Sequence, residues 1–164
     1  CSSDLIPWQV YMLPQYSMMN KFHLVDTHTG YVLMQSFTAF GVFLMRQFFM
    51  SLPNELLEAG RIDGLSEYGN YFRIALPLSK PSIATMTIFS FVAIWNDYMG
   101  PLIYFNSTAK KTIQLGIKMF IGQYSTEYGL VMAASVLSLI PVLLIFLAGQ
   151  KFFVQGIASS GIKG

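Results

Sequence analysis

The polar stretch that decides the fold of this chain reads EAGRIDGLSEYGNYFRIALP, residues 58–77. Residues 30–45 before it carry no formal charge, and residues 81–104 after it contain only one charged side chain, Asp97. An apolar helix of about 20 residues crosses the roughly 30 Å hydrocarbon core of a bilayer. The pattern therefore predicts a polar loop held between two membrane-crossing helices.

The composition is that of a membrane protein. Of the 164 residues, 54% are hydrophobic and 11% are charged, whereas about 25% of a typical soluble domain is charged. The net charge is only +2, and the absence of a basic stripe argues against a nucleic acid as partner. The single cysteine, Cys1, excludes an internal disulfide, and His23 and His28 have no further metal-ligand residues nearby, so no metal site is predicted.

Charge-free intervals predict where the chain crosses the bilayer. The predicted complete spans are residues 30–50, 81–105 and 128–150, and residues 5–19 are a predicted partial span. The loop 51–80 connects the first two complete spans. Six of the ten Lys and Arg lie in this loop, at its edges or in the C-terminal tail. Because cytoplasmic segments retain Lys and Arg, the loop and the C-terminus are predicted to face the cytoplasm.

Capping signals divide the loop into two short helices. Ser51 and Pro53 favour a helix start, and Gly64 favours a helix stop. Ser66 is a suitable cap for a second helix, for which Pro77 is the expected stop. The loop is therefore predicted to form an L-shaped pair of helices.

The first loop helix has one charged and one small side. Glu58 and Arg61 are spaced to form an ion pair, while Ala59 and Gly60 leave a shallow side for another backbone to approach. Gly64 is expected to adopt a positive φ. Composition alone favours an ordinary cytoplasmic helical hairpin packed on its own protein.

Asn96 and Asp97 are the polar candidates within the second predicted span. A charge in a span is costly, so Asp97 is expected to avoid lipid, just before a break at Gly100 and Pro101. In one interpretation Asn96 and Asp97 line a pathway through the membrane and form hydrogen bonds to the transported molecule. In the other, they bridge to a neighbouring helix or cap the break.

The spacing in residues 58–77 resembles the "EAA" loop of ABC-importer permeases, in which E-A-A is followed by three residues, G, nine residues, I, one residue and L-P. The matching residues are Glu58, Ala59, Gly64, Ile74, Leu76 and Pro77. Gly60 replaces the third small residue of the pattern. The segments LMRQFFMSLPNELLEA, FVAIWNDYMGPLIY and GQKFFVQGIASSGIKG extend the resemblance to carbohydrate permeases of the maltose and oligosaccharide type.

This resemblance implies an all-α, polytopic transmembrane helical bundle with a cytoplasmic coupling-helix loop. Residues 1–164 would be an N-terminally truncated fragment of a single permease domain. It also implies that a coupling helix inserts into a cleft on a cytoplasmic ATPase. The residues expected at its contact and turn are Glu58, Ala59, Gly60, Asp63 and Gly64.

The implied function is ATP-driven import of a sugar or oligosaccharide across a bacterial-type cytoplasmic (inner) membrane. The implied partners are an ABC ATPase dimer, a second permease subunit, an extracytoplasmic sugar-binding protein and the lipid bilayer. ATP and Mg²⁺ would bind the ATPase, because this sequence has no phosphate-binding glycine loop. No cofactor and no enzyme activity are therefore expected in this chain.

Two other functions fit parts of the sequence. An ion-coupled secondary carrier or channel would use Asp97 as its ion or proton site. A membrane-embedded enzyme would use Asp97 together with His28, although no motif in the sequence brings these two residues together.

Overall fold

The computed structural model describes residues 7–122 and 127–160, and helices are the regular elements of these ranges. In chain order they are α1 (Trp8–Lys21), α2 (His28–Gln35), α3 (Ala39–Ser51), α4 (Asn54–Ile62), α5 (Glu67–Asn70), a π-helix (Tyr71–Ala75), α6 (Leu76–Leu78), α7 (Lys80–Trp95), α8 (Met99–Tyr104), a 3-10 turn (Thr108–Lys110), α9 (Ile113–Met119) and α10 (Tyr128–Ser160).

One helix among the described residues is by itself long and apolar enough to cross a membrane. It is the segment Tyr128–Gln150 of α10, which has 23 residues and a mean hydropathy of 2.8. This segment coincides with the third predicted span. Two bent pairs meet the same criterion if each counts as one span. These are α2 with α3, bent by 44°, and Glu67–Leu78 with α7, bent by 65°.

The first predicted span, residues 30–50, is not one continuous helix. The chain leaves the helical conformation at residues 36–38, between α2 and α3. The Ser36 hydroxyl donates a 2.7 Å hydrogen bond to the Val32 carbonyl. Side-chain bonds of this kind to the preceding turn often bend helices, which accounts for a break where the hydropathy pattern is continuous.

The second predicted span, residues 81–105, is also interrupted, and the break lies earlier than expected. α7 ends at Trp95, and the expected break residues Gly100 and Pro101 lie inside α8. Pro101 is in the first turn of α8, where N–H groups have no partner within the helix. Its missing donor therefore costs no hydrogen bond there, and the proline lies within a helix instead of ending one.

The predicted partial span, residues 5–19, corresponds to α1, which begins at Trp8 and continues to Lys21 with Pro14 inside it. Residues 5 and 6 lie outside the described residues.

The chain divides into two compact units: Cys1–Ala39 with Phe91–Leu144, and Phe40–Ser90 with Ile145–Gly164. The core of the first unit contains the buried side chains Met19, Tyr31, Tyr104 and Phe105. In this unit the Trp95 indole N–H donates a 3.0 Å hydrogen bond to the carbonyl of Ser138 in α10. In the second unit α10 passes close to α7, because a Cβ added to Gly149 would lie 2.2 Å from Cδ1 of Ile88.

Asp26 connects two distant segments of the first unit. Its carboxylate accepts hydrogen bonds from the N–H of Asn106 at 3.0 Å and the N–H of Ser107 at 3.1 Å, and also from the Ser107 hydroxyl. The ammonium group of Lys110 lies 3.1 Å from the same carboxylate. The turn between α1 and α2 is thereby fixed to the segment that follows α8.

The candidate coupling loop

The first arm of the loop is α4, and both of its ends are set by local sequence. α4 begins directly after Pro53, one of the two predicted start residues. The other prediction, Ser51, is wrong: this residue ends α3, and its hydroxyl donates a 2.7 Å hydrogen bond to the Phe48 carbonyl of that helix. At the other end, the N–H of Leu65 bonds the Gly60 carbonyl at 2.9 Å, and the N–H of Gly64 bonds the Arg61 carbonyl at 3.0 Å. This is the Schellman arrangement, which requires a left-handed residue after the helix. Gly64 has a φ of +81°, so the predicted positive φ is confirmed.

The second arm begins at Ser66, whose hydroxyl accepts a 3.2 Å hydrogen bond from the N–H of Gly69, as predicted for a cap. It consists of α5, the π-helix and α6. The expected stop at Pro77 is wrong, since the arm continues through Leu78 and bends at Ser79. The π-helix shifts the hydrogen-bond register, so Pro77 lies at the start of α6, where a missing N–H is tolerated.

The two arms contact each other through Gly60, which is buried. A Cβ added to Gly60 would lie 2.1 Å from Oδ1 of Asn70 and 2.7 Å from Cδ1 of Ile74. The side-chain nitrogen of Asn70 donates a 3.0 Å hydrogen bond to the Leu57 carbonyl. The sequence predicts that Ala59 and Gly60 leave a shallow side for another backbone to approach. At Gly60 the approaching segment is the second arm of the same loop, because the left-handed turn at Gly64 folds that arm back onto it.

The opposite face of α4 is exposed. Glu55, Glu58, Ala59 and Ile62 are all exposed, and their spacing of i, i+3, i+4 and i+7 places them on one side of the helix. Ile62 is 86% exposed. Glu58 and Ala59, two of the residues that the resemblance places at the coupling contact, lie on this face. Ile62, one helical turn after Glu58, lies beside them.

The predicted ion pair between Glu58 and Arg61 does not form. Arg61 instead pairs with Glu67 at the start of the second arm, with 2.8 Å between Nη2 and Oε1. The turn at Gly64 brings Glu67 near the end of α4. Within the part of the chain that the structure describes, the Glu58 carboxylate accepts no hydrogen bond and forms no ion pair. Asp63, at the C-cap of α4, is also exposed.

The second pair of candidates, Asn96 and Asp97, lies in the break between α7 and α8. Asp97 accepts hydrogen bonds from the Tyr31 hydroxyl at 2.6 Å, the Gln35 amide at 3.4 Å and the N–H of Gly100 at 3.1 Å. It therefore both bridges to α2 and caps the start of α8. Asn96 is exposed, and its amide donates a 2.8 Å hydrogen bond to a carbonyl of its own helix.

No group of three or more His, Cys, Asp or Glu that could hold a metal ion occurs in residues 7–122 and 127–160. His28, the second residue of the hypothetical enzyme site, packs against the ring of Phe105 with 5.3 Å between ring centroids.

Several known proteins resemble this chain over most of its length. The arabinooligosaccharides transport system permease protein of Bacillus subtilis is 36% identical over 160 residues, which are 98% of this chain and 57% of that protein. The sn-glycerol-3-phosphate transport system permease protein of Pectobacterium atrosepticum is 38% identical over 95% of this chain and 56% of its own length. The lactose transport system permease protein of Rhizobium radiobacter is 36% identical over 95% of this chain and 57% of its own length.

A solved structure has the same fold. It is the crystal structure of a bacterial ABC transporter involved in the import of the acidic polysaccharide alginate, with a TM-score of 0.75 and 27% identity. The match covers 86% of this chain and 55% of that one. Together with the helices described above, this match confirms the predicted all-α fold.

The chain spans 56% to 57% of the length of the curated relatives named above. Residues 5–159 match the protein family described as "Binding-protein-dependent transport system inner membrane component". The match extends over both helical units and the whole of the loop 51–80. From this match and the identities above, the chain belongs to the family of inner membrane components of binding-protein-dependent transport systems.

Proposed function

We propose that this chain is part of the transmembrane permease subunit of an ATP-driven importer for a sugar or oligosaccharide. Its family supports transport that depends on a binding protein. Relatives are named for arabinooligosaccharides and lactose, and the structural neighbour takes part in alginate import. These names favour a hydroxyl-rich carbohydrate as the substrate class.

The observation that carries the coupling role is the exposed face of α4. Ile62 is 86% exposed beside Glu58, whose carboxylate has no partner within the described residues. An apolar side chain on a short charged helix is stabilised when a partner covers it. The fitting partner is a cytoplasmic ATPase subunit with an apolar cleft for Ile62 and a basic group at its rim for Glu58.

The loop is built so that a displacement of α4 can be transmitted to α7. The Schellman turn at Gly64 and the hydrogen bond from Asn70 to Leu57 hold the two arms together. The second arm is followed directly by α7, which begins at Lys80. When ATP closes the ATPase dimer, α4 moves with the cleft that holds it, and the second arm passes this displacement to α7. Alternating access then results from the movement of packed helices against one another.

A site-specific crosslinking experiment tests this proposal. The full-length protein is assembled with its ATPase and second permease subunit, and a photoreactive amino acid replaces Ile62. The matched control replaces Met119 of α9, which is 60% exposed and is predicted to face the other side of the membrane. We expect ATPase adducts from position 62 and none from position 119. An intact complex without adducts at position 62, or transport that continues without the ATPase, would contradict the proposal.

A further inference from the structure

Gly60 lies at a helical position where glycine is less favourable than most residues. It lies in the interior of α4, where glycine costs about 1 kcal/mol relative to alanine. Its φ is not in the left-handed region, unlike that of Gly64, so backbone conformation does not require glycine. The requirement comes from the second arm, since Oδ1 of Asn70 would be 2.1 Å from a Cβ at this position.

The side-chain amide of Asn70 has only one orientation in which it can form its hydrogen bond. It is 3% exposed, and its side-chain nitrogen donates to the Leu57 carbonyl at 3.0 Å. Because a carbonyl oxygen only accepts, the amide nitrogen must face Leu57, and Oδ1 is thereby directed at Gly60. Oδ1 is buried without a hydrogen-bond partner among the described residues. The Cα–H group of Gly60 is the weak donor that it faces.

The segment after Asn70 strengthens this contact. Ile74 lies one turn further along, and its Cδ1 would be 2.7 Å from a Cβ at residue 60. Residues Tyr71–Ala75 form the π-helix, a conformation that is rare and frequently found at functional sites. The side chains of Asn70 and Ile74 in the second arm thus both pack against Gly60 in the first arm.

We propose that Gly60 and Asn70 form a positioning pair for the coupling step, in which the Asn70 amide occupies the space of a residue-60 side chain and fixes α4 to the second arm. This inference rests on the proposed function. It adds that the strength of coupling depends on a contact inside this chain, on the face of α4 opposite to Glu58 and Ile62.

A double-mutant cycle in the full-length protein tests the pair. The variants are Gly60→Ala, Asn70→Ala and the combination of both, assembled with the ATPase and second permease subunit. Gly116→Ala is the matched control, because a Cβ added to that helical glycine meets nothing within 4 Å. The measurements are substrate transported per ATP hydrolysed, and the amount of ATPase that copurifies with each variant.

We expect Gly60→Ala to lower transport per ATP by about tenfold, because the new methyl group forces the arms apart. Asn70→Ala removes the closer of the two overlaps and leaves the one with the flexible end of Ile74, so the double variant should transport better than Gly60→Ala alone. The amount of copurified ATPase should stay unchanged in all variants, because the face with Glu58 and Ile62 is not altered. A purely structural defect would lower protein amount and copurification together and leave the transport per ATP intact.

Two results would overturn the inference: transport per ATP in Gly60→Ala equal to that of Gly116→Ala, or purely additive effects in the double variant. If Gly60→Ala fails to accumulate in the membrane, the amount of each variant in the membrane is measured in the same double-mutant cycle. Adding Asn70→Ala to Gly60→Ala should then restore accumulation. Lack of ATPase binding by the unmodified protein would reject the proposed function instead, and the accumulation cycle would still decide whether the pair exists.

Discussion

The hydroxyl of Tyr31 in α2 donates a 2.6 Å hydrogen bond to Oδ2 of Asp97, a residue 66 positions away in sequence. The other carboxylate oxygen of Asp97 accepts from the N–H of Gly100 at 3.1 Å. Both oxygens are therefore engaged by the protein itself. This arrangement supports the bridging and capping role of Asp97 over a role in binding a sugar or an ion.

Tyr31→Phe is expected to lower the free energy of unfolding by about 1 to 3 kcal/mol, because Asp97 then loses its shortest hydrogen bond. Asp97→Asn should cost less, since an amide oxygen still accepts from Gly100. The measurement is thermal or denaturant unfolding of the detergent-solubilised full-length protein. Asn96→Ala, at the exposed neighbouring position, is the control and should change stability by less than about 0.5 kcal/mol. Equal losses at positions 31 and 96 would argue against the bridge.

Glu58→Ala and Ile62→Ala are expected to uncouple ATP hydrolysis from transport while the protein stays in the membrane. Loss of one partner of a desolvated charge pair typically costs about 2 to 5 kcal/mol of binding. Transport and ATPase rates in proteoliposomes provide the measurement. Glu67→Gln is the matched carboxylate control in the same loop. Its exposed pair with Arg61 is worth about 1 kcal/mol or less, so it should stay coupled. Normal transport by Glu58→Ala and Ile62→Ala would refute the docking face.

Replacements of Gly64 should rank by their tolerance of a positive φ. Asn tolerates the left-handed conformation better than Ala, for which it costs roughly 1 to 2 kcal/mol. Pro cannot adopt it at all and also lacks the N–H that bonds Arg61. We therefore expect coupled transport to decrease in the order Gly, Asn, Ala, Pro. Because a Cβ at Gly64 meets nothing within 4 Å, a ranking by side-chain size would contradict this explanation.

The cluster around Asp26 predicts a defined response to acid. The hydrogen bond from the Ser107 hydroxyl, followed by that from the Ser107 backbone N–H, holds the pKa of the Asp26 carboxyl far below its usual range. A carboxyl with a lowered folded-state pKa stabilises the fold fully above its unfolded-state pKa of about 3.9. That stabilisation decreases as the pH falls below this value toward the folded-state pKa.

Asp26→Asn should therefore lower the unfolding midpoint at neutral pH, and its difference from the unmodified protein should shrink as the pH is lowered below about 4. Asp26 has a φ of 58°, a conformation that Asn tolerates equally well, so this substitution removes the charge without straining the backbone. The measurement is the unfolding midpoint of both proteins across an acid series. A difference that is independent of pH in this range would show that the carboxylate charge does not stabilise the cluster.

Much of the structure of the loop 51–80 could be predicted because its signals act over a few residues. Each of these signals acts on the backbone of its own turn. The structure confirms the helix start after Pro53, the positive φ of Gly64 and the cap formed by Ser66. The stop expected at Pro77 was wrong for a reason that the sequence does not display. A π-helix changes the hydrogen-bond register just before it.

Side-chain partners were predicted less well. Spacing allowed Arg61 to reach Glu58 along one helix, yet the turn at Gly64 brought Glu67 nearer. The same turn at Gly64 places Asn70 of the second arm against Gly60 and leaves Ile62 exposed. Periodicity describes one helix at a time, so it cannot indicate which face another helix will cover.

The sequence by itself determined the all-α class, the membrane character, both ends of α4 and the start of the second arm. These properties depend on hydropathy summed over a segment and on backbone chemistry within single turns. Only the tertiary structure decided where the predicted spans break, which face of α4 is buried, and which donors reach Asp26 and Asp97. Those outcomes depend on contacts between residues far apart in sequence, whose geometry follows from the packing of several elements at once.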